Sequence, residues 1–190
     1  MKIGVLALQG AFREHMKTLQ ILGVDAVEVK KPEQLDDIAG LILPGGESTT
    51  IGKLMTEWGL LTKIQERYQQ GMAIYGTCAG LILLSKNIVG SKQPSLKLMD
   101  TVVKRNAFGR QVDSFEANLY VKEFGPEPVK AVFIRAPYII SAAPNVKVLA
   151  EVNGKIVIAR QDRLLATSFH PELTGDNRIH QYFMSMIETD

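Results

Sequence analysis

Short apolar runs alternate with helical patterns through the first half of the chain. Residues 3–8 are continuously apolar, which predicts a strand buried on both faces, and residues 12–22 behind them have helical spacing. Further strands are predicted over residues 24–29, 40–43 and 72–75, with a helical turn over 33–38 and helices over 50–58, 61–70 and 81–85. This alternation predicts a mostly parallel sheet with helices on both of its faces.

The pattern changes after about residue 90, where strands follow one another without helices between them. Predicted strands cover residues 101–104, 118–121, 131–134, 146–152, 155–160 and 164–169, and a closing helix covers 176–187. Asn153-Gly154 joins two of these strands and is the strongest hairpin signal in the chain. We therefore expect one α/β domain over residues 1–190, whose second half is rich in antiparallel strands.

The composition is that of a compact globular domain and disfavours several functions. Of 190 residues 46% are hydrophobic, and the charge of +2 is too small and too dispersed for a nucleic-acid surface. One cysteine cannot form an internal disulfide. No signal peptide is legible, and the longest uncharged stretch, residues 69–85, is short for a membrane span, so we expect a cytoplasmic location.

The single cysteine lies in a pattern typical of a catalytic nucleophile. Residues 76–80 read Gly-Thr-Cys-Ala-Gly, between a predicted strand and a predicted helix. In α/β enzymes this pattern places the nucleophile on a tight, strained turn, and side chains at the glycine positions would collide with neighbouring elements. The start of a helix also favours the thiolate. An isolated cysteine is more often a buried structural residue, but the glycines and the element order favour chemistry at Cys78.

A thiolate nucleophile needs a base, and three histidines are available. His15 and His180 lie on predicted helices and are expected at the surface. His170 follows a strand and is succeeded two residues later by Glu172, which can reach the ring in an extended backbone and orient it. Alone, this stretch could be an ordinary loop with a solvated carboxylate. With Cys78 it predicts a nucleophile, a base and an orienting carboxylate at the carboxyl ends of strands.

A glycine loop offers donors for a developing oxyanion. Residues 44–49 read Pro-Gly-Gly-Glu-Ser-Thr, at the end of one predicted strand and the start of a helix. Their N–H groups could point into the same crevice as the N–H of Ala79, next to the nucleophile. The rival interpretation is a phosphate cradle, because such loops bind anions. The loop lacks the lysine of a P-loop and the spacing of a dinucleotide fingerprint, so we rank the phosphate cradle second.

Together these motifs carry a family resemblance. Residues 44–49, 76–80 and 170–172 resemble the motifs of class I (triad) glutamine amidotransferases. Further stretches resemble one group of these enzymes, the glutaminase subunits of pyridoxal 5′-phosphate synthases, and they are residues 8–11, 13–15, 105–111, 113–116 and 133–137. The similarity extends over the whole chain, and it implies a three-layer, flavodoxin-like fold.

The resemblance also implies an activity and a set of site residues. Members of the family hydrolyse L-glutamine to L-glutamate and ammonia through a γ-glutamyl thioester, with Cys78 as nucleophile, His170 as base and Glu172 as the third triad member. The implied oxyanion donors are the N–H groups of Gly46 and Ala79. The implied glutamine-binding residues are Gly46, Glu47, Ser48, Arg105, Ile134 and Arg135. A guanidinium suits an α-carboxylate, Ile134 would act through its backbone, and Arg135 could equally be a surface or salt-bridged arginine.

The partners follow from the same resemblance. Ammonia would pass through an internal tunnel to a synthase subunit, a (β/α)₈ barrel that makes pyridoxal 5′-phosphate from ribose 5-phosphate and glyceraldehyde 3-phosphate. Twelve glutaminases would surround twelve synthase subunits, and this chain would need no metal and no cofactor. Two alternatives stay open: a glutaminase for another pathway, such as histidine, purine or anthranilate synthesis, and a flavodoxin-like binding module in which Cys78 is merely buried.

Overall fold

The structure is a computed structural model that describes residues 1–106 and 114–188. Within these residues the α-helices are α1 (Phe12–Ile21), α2 (Ser48–Glu57), α3 (Leu60–Gln69), α4 (Ala79–Leu84) and α5 (Arg178–Glu188). The strands of the first part are β1 (Lys2–Leu6), β2 (Asp25–Val29), β3 (Gly40–Leu43), β4 (Ala73–Thr77), β5 (Ser85–Ile88) and β6 (Met99–Lys104). Those of the second part are β7 (Ser114–Leu119), β8 (Val129–Ile134), β9 (Tyr138–Ala142), β10 (Lys147–Val152), β11 (Lys155–Gln161) and β12 (Leu164–Thr167). None of these helices is long and apolar enough to cross a membrane.

The strands form a mixed sheet and a separate hairpin. The order in the large sheet is β2-β1-β3-β4-β12-β11-β9-β6-β5, with β10 paired to β11. Strands β1 to β4 and β12 run parallel, whereas β12, β11, β9 and β6 alternate in direction. β10 and β11 form the antiparallel hairpin predicted around residues 153–154, and β7 pairs with β8 outside the large sheet. The predicted α/β class, with its parallel first half and antiparallel second half, is confirmed.

Two apolar cores lie on the two faces of the large sheet. Successive side chains of a strand point to opposite faces, and in β3 Leu41 and Leu43 accordingly belong to one core and Ile42 to the other. Helices α2, α3 and α4 pack on the first face, whereas α1, α5 and the β7–β8 hairpin cover the second. Strands β1, β3, β4 and β12 are therefore buried on both sides, which is why they read as largely apolar runs, whereas the edge strand β2 is only partly buried.

The register brings the ends of three parallel strands to one edge of the sheet. Leu43 at the end of β3 pairs with Gly76 of β4, and Thr77 of β4 pairs with Thr167 of β12. The segments that follow these strands are the glycine loop, the cysteine turn and the segment with His170. Three motifs far apart in sequence thus meet at the carboxyl edge of the sheet, where open α/β sheets hold their ligands.

Several elements differ from the pattern-based prediction. β5 and β9 were not predicted: β5 carries the exposed polar residues Lys86 and Asn87, and β9 does not alternate, since Ile140 and Ser141 are both exposed. The last helix begins at Arg178 and not at residue 176, since the Asp176 carboxylate accepts a hydrogen bond from the Arg178 backbone N–H at 3.1 Å. Helix α4 begins directly after Cys78, two residues earlier than expected.

Candidate active site

Cys78 lies on a strained turn between β4 and α4. Its backbone angles are φ 50° and ψ −99°, in a region that non-glycine residues rarely occupy, and its N–H donates to the Thr167 carbonyl at 2.8 Å. A β-carbon at Gly80 would lie 2.1 Å from the Leu43 carbonyl oxygen, and one at Gly76 would lie 2.5 Å from the Gly80 backbone. The collisions expected at both glycines are confirmed, and they explain why the turn can be this tight.

His170 and Glu172 form a buried hydrogen-bonded pair beside this turn. Nδ1 of His170 lies 2.7 Å from Oε1 of Glu172, and the two residues are 8% and 7% exposed. Burial by itself lowers the pKa of His170, but hydrogen bonds with Cys78 and Glu172 outweigh burial and raise that pKa to about 10. Burial raises the pKa of Glu172, yet the neighbouring His15 and the hydrogen bond from His170 hold it below its ordinary value. The pair therefore favours an imidazolium next to a carboxylate.

The backbone route to this pair differs from the one predicted. β12 ends at Thr167, and Glu172 lies in a 3₁₀ turn, Pro171–Leu173, and not in extended backbone. The turn closes through the Thr174 N–H, which donates to the Pro171 carbonyl at 3.1 Å, while the His170 N–H is held by the Val132 carbonyl of β8 at 2.9 Å. The prediction that Glu172 can hold the His170 ring is confirmed, although a tight turn brings them together.

His15 and His180 are not surface residues, and that expectation is wrong. Both are fully buried, with Nδ1 of His15 2.9 Å from Nε2 of His180. Nε2 of His15 lies 3.1 Å from the Thr77 hydroxyl and 3.5 Å from Oε2 of Glu172. The helical pattern could have revealed them, because each histidine shares the buried stripe of its helix: His15 with Thr18 and Leu19 on α1, and His180 with Phe183 on α5.

A pocket of about 490 Å³ opens in front of Cys78. Of the predicted site residues it is lined by Gly46, Glu47, Ser48, Cys78, Ala79, Arg105, Ile134, Arg135 and His170. Glu172 lies behind His170, outside the lining. The pocket is also lined by Gly45, Asn106 and Pro137, which lie in the stretches singled out above without an assigned role, and by Ile82 and Leu173, which no such stretch contains. The structure thus brings together residues singled out from five separate stretches of the sequence.

The glycine loop forms one wall of this pocket. The Gly45 carbonyl accepts from the Ala11 N–H at 2.9 Å, and the Glu47 N–H donates to Oε1 of Gln9 at 2.7 Å. The Glu47 carboxylate caps helix α2 by accepting from the N–H and the hydroxyl of Thr50, at 2.9 and 3.0 Å. Because of this cap, α2 begins at residue 48 and not at residue 50. The Glu47 side chain is thus already engaged within the protein.

Arg105 reaches the pocket as part of a polar cluster that was not predicted. Its Nη1 donates to Oε1 of Gln93 at 2.6 Å and to the hydroxyl of Thr49 at 3.1 Å. The Ser48 hydroxyl also donates to Oε1 of Gln93, at 3.3 Å. Gln93 lies in a segment without regular structure and has no motif around it, so no local signal marks it. Its carbonyl holds the guanidinium in place.

The opposite rim is formed by the end of β8. Ile134 is the last residue of that strand, and Arg135 follows with a left-handed φ of 41°. Arg135 is exposed and lines the pocket. Backbone strain of this kind tends to occur at functional sites. Residues 107–111 and 113 also belong to the stretches that carry the resemblance, and they lie outside the described part of the chain.

A thiol on a strained strand-to-helix turn, next to a buried imidazole and carboxylate at the carboxyl edge of a sheet, defines the class of α/β enzymes built around a nucleophile elbow. Within that class the assignment is specific. Residues 5–189 match the model of the SNO glutamine amidotransferase family, and the chain belongs to that family.

Named relatives and a solved structure agree with this assignment. The chain is 61% identical over 188 residues to the pyridoxal 5′-phosphate synthase subunit PdxT of Desulforamulus reducens, covering 99% of this chain and all of that one. It is 58% identical over 187 residues to the subunit of the same name from Carboxydothermus hydrogenoformans, covering 98% of each. A crystal structure described as a glutamine amidotransferase superposes with a TM-score of 0.94 at 50% identity, covering 98% and 99% of the two chains.

Proposed function

We propose that this chain is the glutaminase subunit of a pyridoxal 5′-phosphate synthase and hydrolyses L-glutamine to L-glutamate and ammonia. The observation that carries the proposal is the Cys78, His170 and Glu172 cluster, opening onto a pocket large enough for an amino acid. The names of the relatives support the assignment to this synthase and not to another pathway.

The reaction begins with the thiolate of Cys78 and the imidazolium of His170. The raised pKa of His170 favours this ion pair at neutral pH. The sulfur attacks the side-chain amide carbon of glutamine, and the carbonyl oxygen becomes an oxyanion. The N–H groups of Gly46 and Ala79, which both line the pocket, are the proposed donors to that oxygen.

Collapse of this intermediate releases ammonia and leaves a thioester. His170 gives its proton to the departing nitrogen, while Glu172 holds the ring through Nδ1. Water, deprotonated by His170, then attacks the thioester carbonyl, and glutamate leaves as the thiolate is restored. Thiol, imidazole and backbone N–H groups supply every step, so the proposed mechanism uses neither a metal nor an organic cofactor.

The glutamine backbone is held at the far end of the pocket in this proposal. Arg105, fixed by Gln93, binds the α-carboxylate as a bidentate guanidinium. Ile134 contributes through its backbone, and Arg135 lies beside it on the rim. Gly46, Glu47 and Ser48 complete the other wall. Since the Glu47 side chain already caps α2, its contribution to binding comes from its place in the wall.

The ammonia is consumed by a second subunit in this proposal. That partner is a (β/α)₈-barrel synthase subunit, which receives ammonia through an internal tunnel, and the assembly contains twelve copies of each chain. Two full-length relatives are named as subunits of such a synthase, which supports the existence of a partner subunit. Analytical ultracentrifugation of the mixed subunits tests the stoichiometry.

The decisive experiment measures glutamate formation by this chain with and without the synthase subunit from the same genome. Wild-type chain should hydrolyse glutamine, faster with the synthase subunit present, and Cys78→Ser should abolish the reaction. Hydrolysis that survives Cys78→Ser would overturn the nucleophile assignment. Activation by a histidine or purine enzyme, with none by the synthase subunit, would overturn the proposed pathway.

A further inference from the structure

Behind the proposed triad lies a buried pair of histidines that the reaction described above does not use. His15 on α1 and His180 on α5 are fully buried and joined through Nδ1 and Nε2 at 2.9 Å. The other nitrogen of His15 faces Oε2 of Glu172 at 3.5 Å, and this oxygen has no hydrogen-bond partner among the described residues. Two imidazoles thus stand in line behind the carboxylate that orients His170.

The positions of the protons follow from the hydrogen-bond partners. Nδ1 of His180 is buried and has no partner within residues 1–106 and 114–188. A proton there would be an orphaned buried donor, so the proton of neutral His180 lies on Nε2 and is donated to Nδ1 of His15. The proton of His15 then lies on Nε2, between the Thr77 hydroxyl and the Glu172 carboxylate.

Both histidines are neutral in this arrangement. Burial lowers the pKa of His15, although the charge of Glu172 raises it, and burial together with His15 lowers the pKa of His180 to about 3. Titratable groups face His15 from every element packed against it, and they are His170, Glu172, Glu14, His180 and Tyr75. Of these groups, Glu172 presents to Nε2 of His15 a buried carboxylate oxygen that has no hydrogen bond within the described residues.

We propose that His15 is a positioning residue for glutamine hydrolysis: its Nε2–H, oriented by His180, holds the Glu172 carboxylate so that Oε1 faces His170. The inference rests on the proposed function for its kinetic consequence, but not for its geometry. It assigns two roles. His15 fixes the orientation and the charge of Glu172, and His180 selects the tautomer of His15.

Nitrogen-15 NMR of histidine-labelled protein tests the geometry without any assay of activity. The chain has three histidines, and all three belong to this cluster, so every signal is informative. We expect His15 and His180 to be neutral and protonated on Nε2, with a protonated His170. His15 protonated on Nδ1 would present a lone pair to Glu172 and would overturn the proposal.

Two substitutions at His15 test the kinetic role, with glutaminase measured in the presence of the synthase subunit. His15→Leu should lower kcat about tenfold with KM nearly unchanged, and should move the acid limb of the pH profile to higher pH. The limb moves because the Glu172 carboxylate loses the Nε2–H that faces its ionised form, and the pKa of a carboxyl rises when such a donor is removed. His15→Gln, whose amide N–H can replace Nε2–H, should restore most of the rate.

Tyr75→Phe is the matched control. It removes a buried hydroxyl in the same region, one that bonds to Thr167 at 3.1 Å, and should leave the pH profile unchanged. A wild-type profile in His15→Leu, or the same shift in Tyr75→Phe, would refute the positioning role. Complete absence of glutaminase in the wild-type complex would count against the proposed function, and the NMR measurement would still decide the inference.

Discussion

Gly45 lies directly against the imidazole ring of His170. A β-carbon at Gly45 would approach Cε1 of that ring to 2.3 Å and Nδ1 to 3.0 Å. The glycine loop therefore sets how far the ring can turn toward the loop, while Glu172 holds the ring through Nδ1. Two segments far apart in the chain together define the position of the proposed base.

Gly45→Ala should damage catalysis more than folding. The added methyl group meets a side chain that can shift, so the chain should fold, but the displaced ring should lower kcat about 100-fold. Glutamine hydrolysis and thermal unfolding should be measured on the same protein. Gly175→Ala is the control, because a β-carbon there meets nothing within 4 Å. Equal activity of the two variants would show that the contact with His170 is unimportant.

Gly80→Ala, unlike Gly45→Ala, should mainly lower the stability of the fold. Its β-carbon would meet the Leu43 carbonyl oxygen at 2.1 Å, and backbone cannot move aside without disturbing β3. We expect a loss of about 3 kcal/mol in the free energy of unfolding, measured by urea denaturation. An unfolding curve that matches the Gly175→Ala control would contradict the close approach of α4 to β3.

Gln93→Leu should weaken glutamine binding. Without the Gln93 carbonyl, Arg105 loses a charge-assisted hydrogen bond of 2.6 Å and samples other rotamers. KM for glutamine should rise about tenfold with little change in kcat, since the reacting groups stay in place. Gln65→Leu removes a similar side chain, bonded to the Leu96 carbonyl, and should leave KM unaltered. If both variants raise KM equally, Gln93 has no special role.

Glu172→Gln should preserve the fold but slow turnover about 1,000-fold, because His170 loses its orienting charge. The pH profile should change as well. The hydrogen bond and charge of Glu172 help raise the pKa of His170 to about 10, and the imidazolium is the proposed acid. In the variant the pKa of His170 falls, so the basic limb of the pH profile should move to lower pH. Measurement of kcat against pH checks both effects, and an unchanged rate would remove Glu172 from the triad.

Asp100 should contribute stability that disappears only in strong acid. Hydrogen bonds from Lys86, Asn145 and Gln161 lower its pKa from 3.8 to about 2. A carboxyl whose pKa is lower in the folded than in the unfolded chain stabilises the fold fully when the pH lies above the unfolded pKa of 3.8. This stabilisation is lost as the pH falls through the folded pKa of about 2. Asp100→Asn should therefore lower Tm at neutral pH, by an amount that shrinks below about pH 4.

Asp36→Asn provides the comparison for Asp100→Asn. Asp36 is exposed and pairs with Lys63 at the surface, at 2.8 Å. Exposed pairs of this kind contribute little, so its Tm should stay close to that of the wild type at every pH. A loss in Asp100→Asn that is the same at pH 7 and pH 3 would mean that the charge of Asp100 is not what stabilises the fold.

The parts of the site that were predictable are those with local signals. Gly76 and Gly80 mark the turn because only a residue without a side chain fits there, and this requirement is visible in sequence. Continuous apolar runs mark the parallel strands, and the order of elements then places Cys78 and His170 at one edge. Most of the fold could therefore be predicted from local steric requirements and from the burial of strands on both faces.

The parts that were missed depend on partners distant in sequence. His15 is buried because His180, on the last helix, and Glu172 surround it, and no window around residue 15 contains them. Gln93 is similar, since its significance comes from Arg105 and from hydroxyls at the start of α2. The helical stripe shared with Thr18 and Leu19 could have indicated that His15 faces inward, but only its neighbours in space show which groups it contacts.

The place of β12 in the sheet has a consequence for the synthesis of the protein. This strand lies between β4 and β11, so the middle of the sheet is completed by a segment that leaves the ribosome after every other described strand of that sheet. Cys78 emerges much earlier, and until β12 is inserted the thiol has no base beside it. A nascent or truncated chain that lacks β12 and the segment with His170 and Glu172 should therefore not cleave glutamine, even though its Cys78 is present.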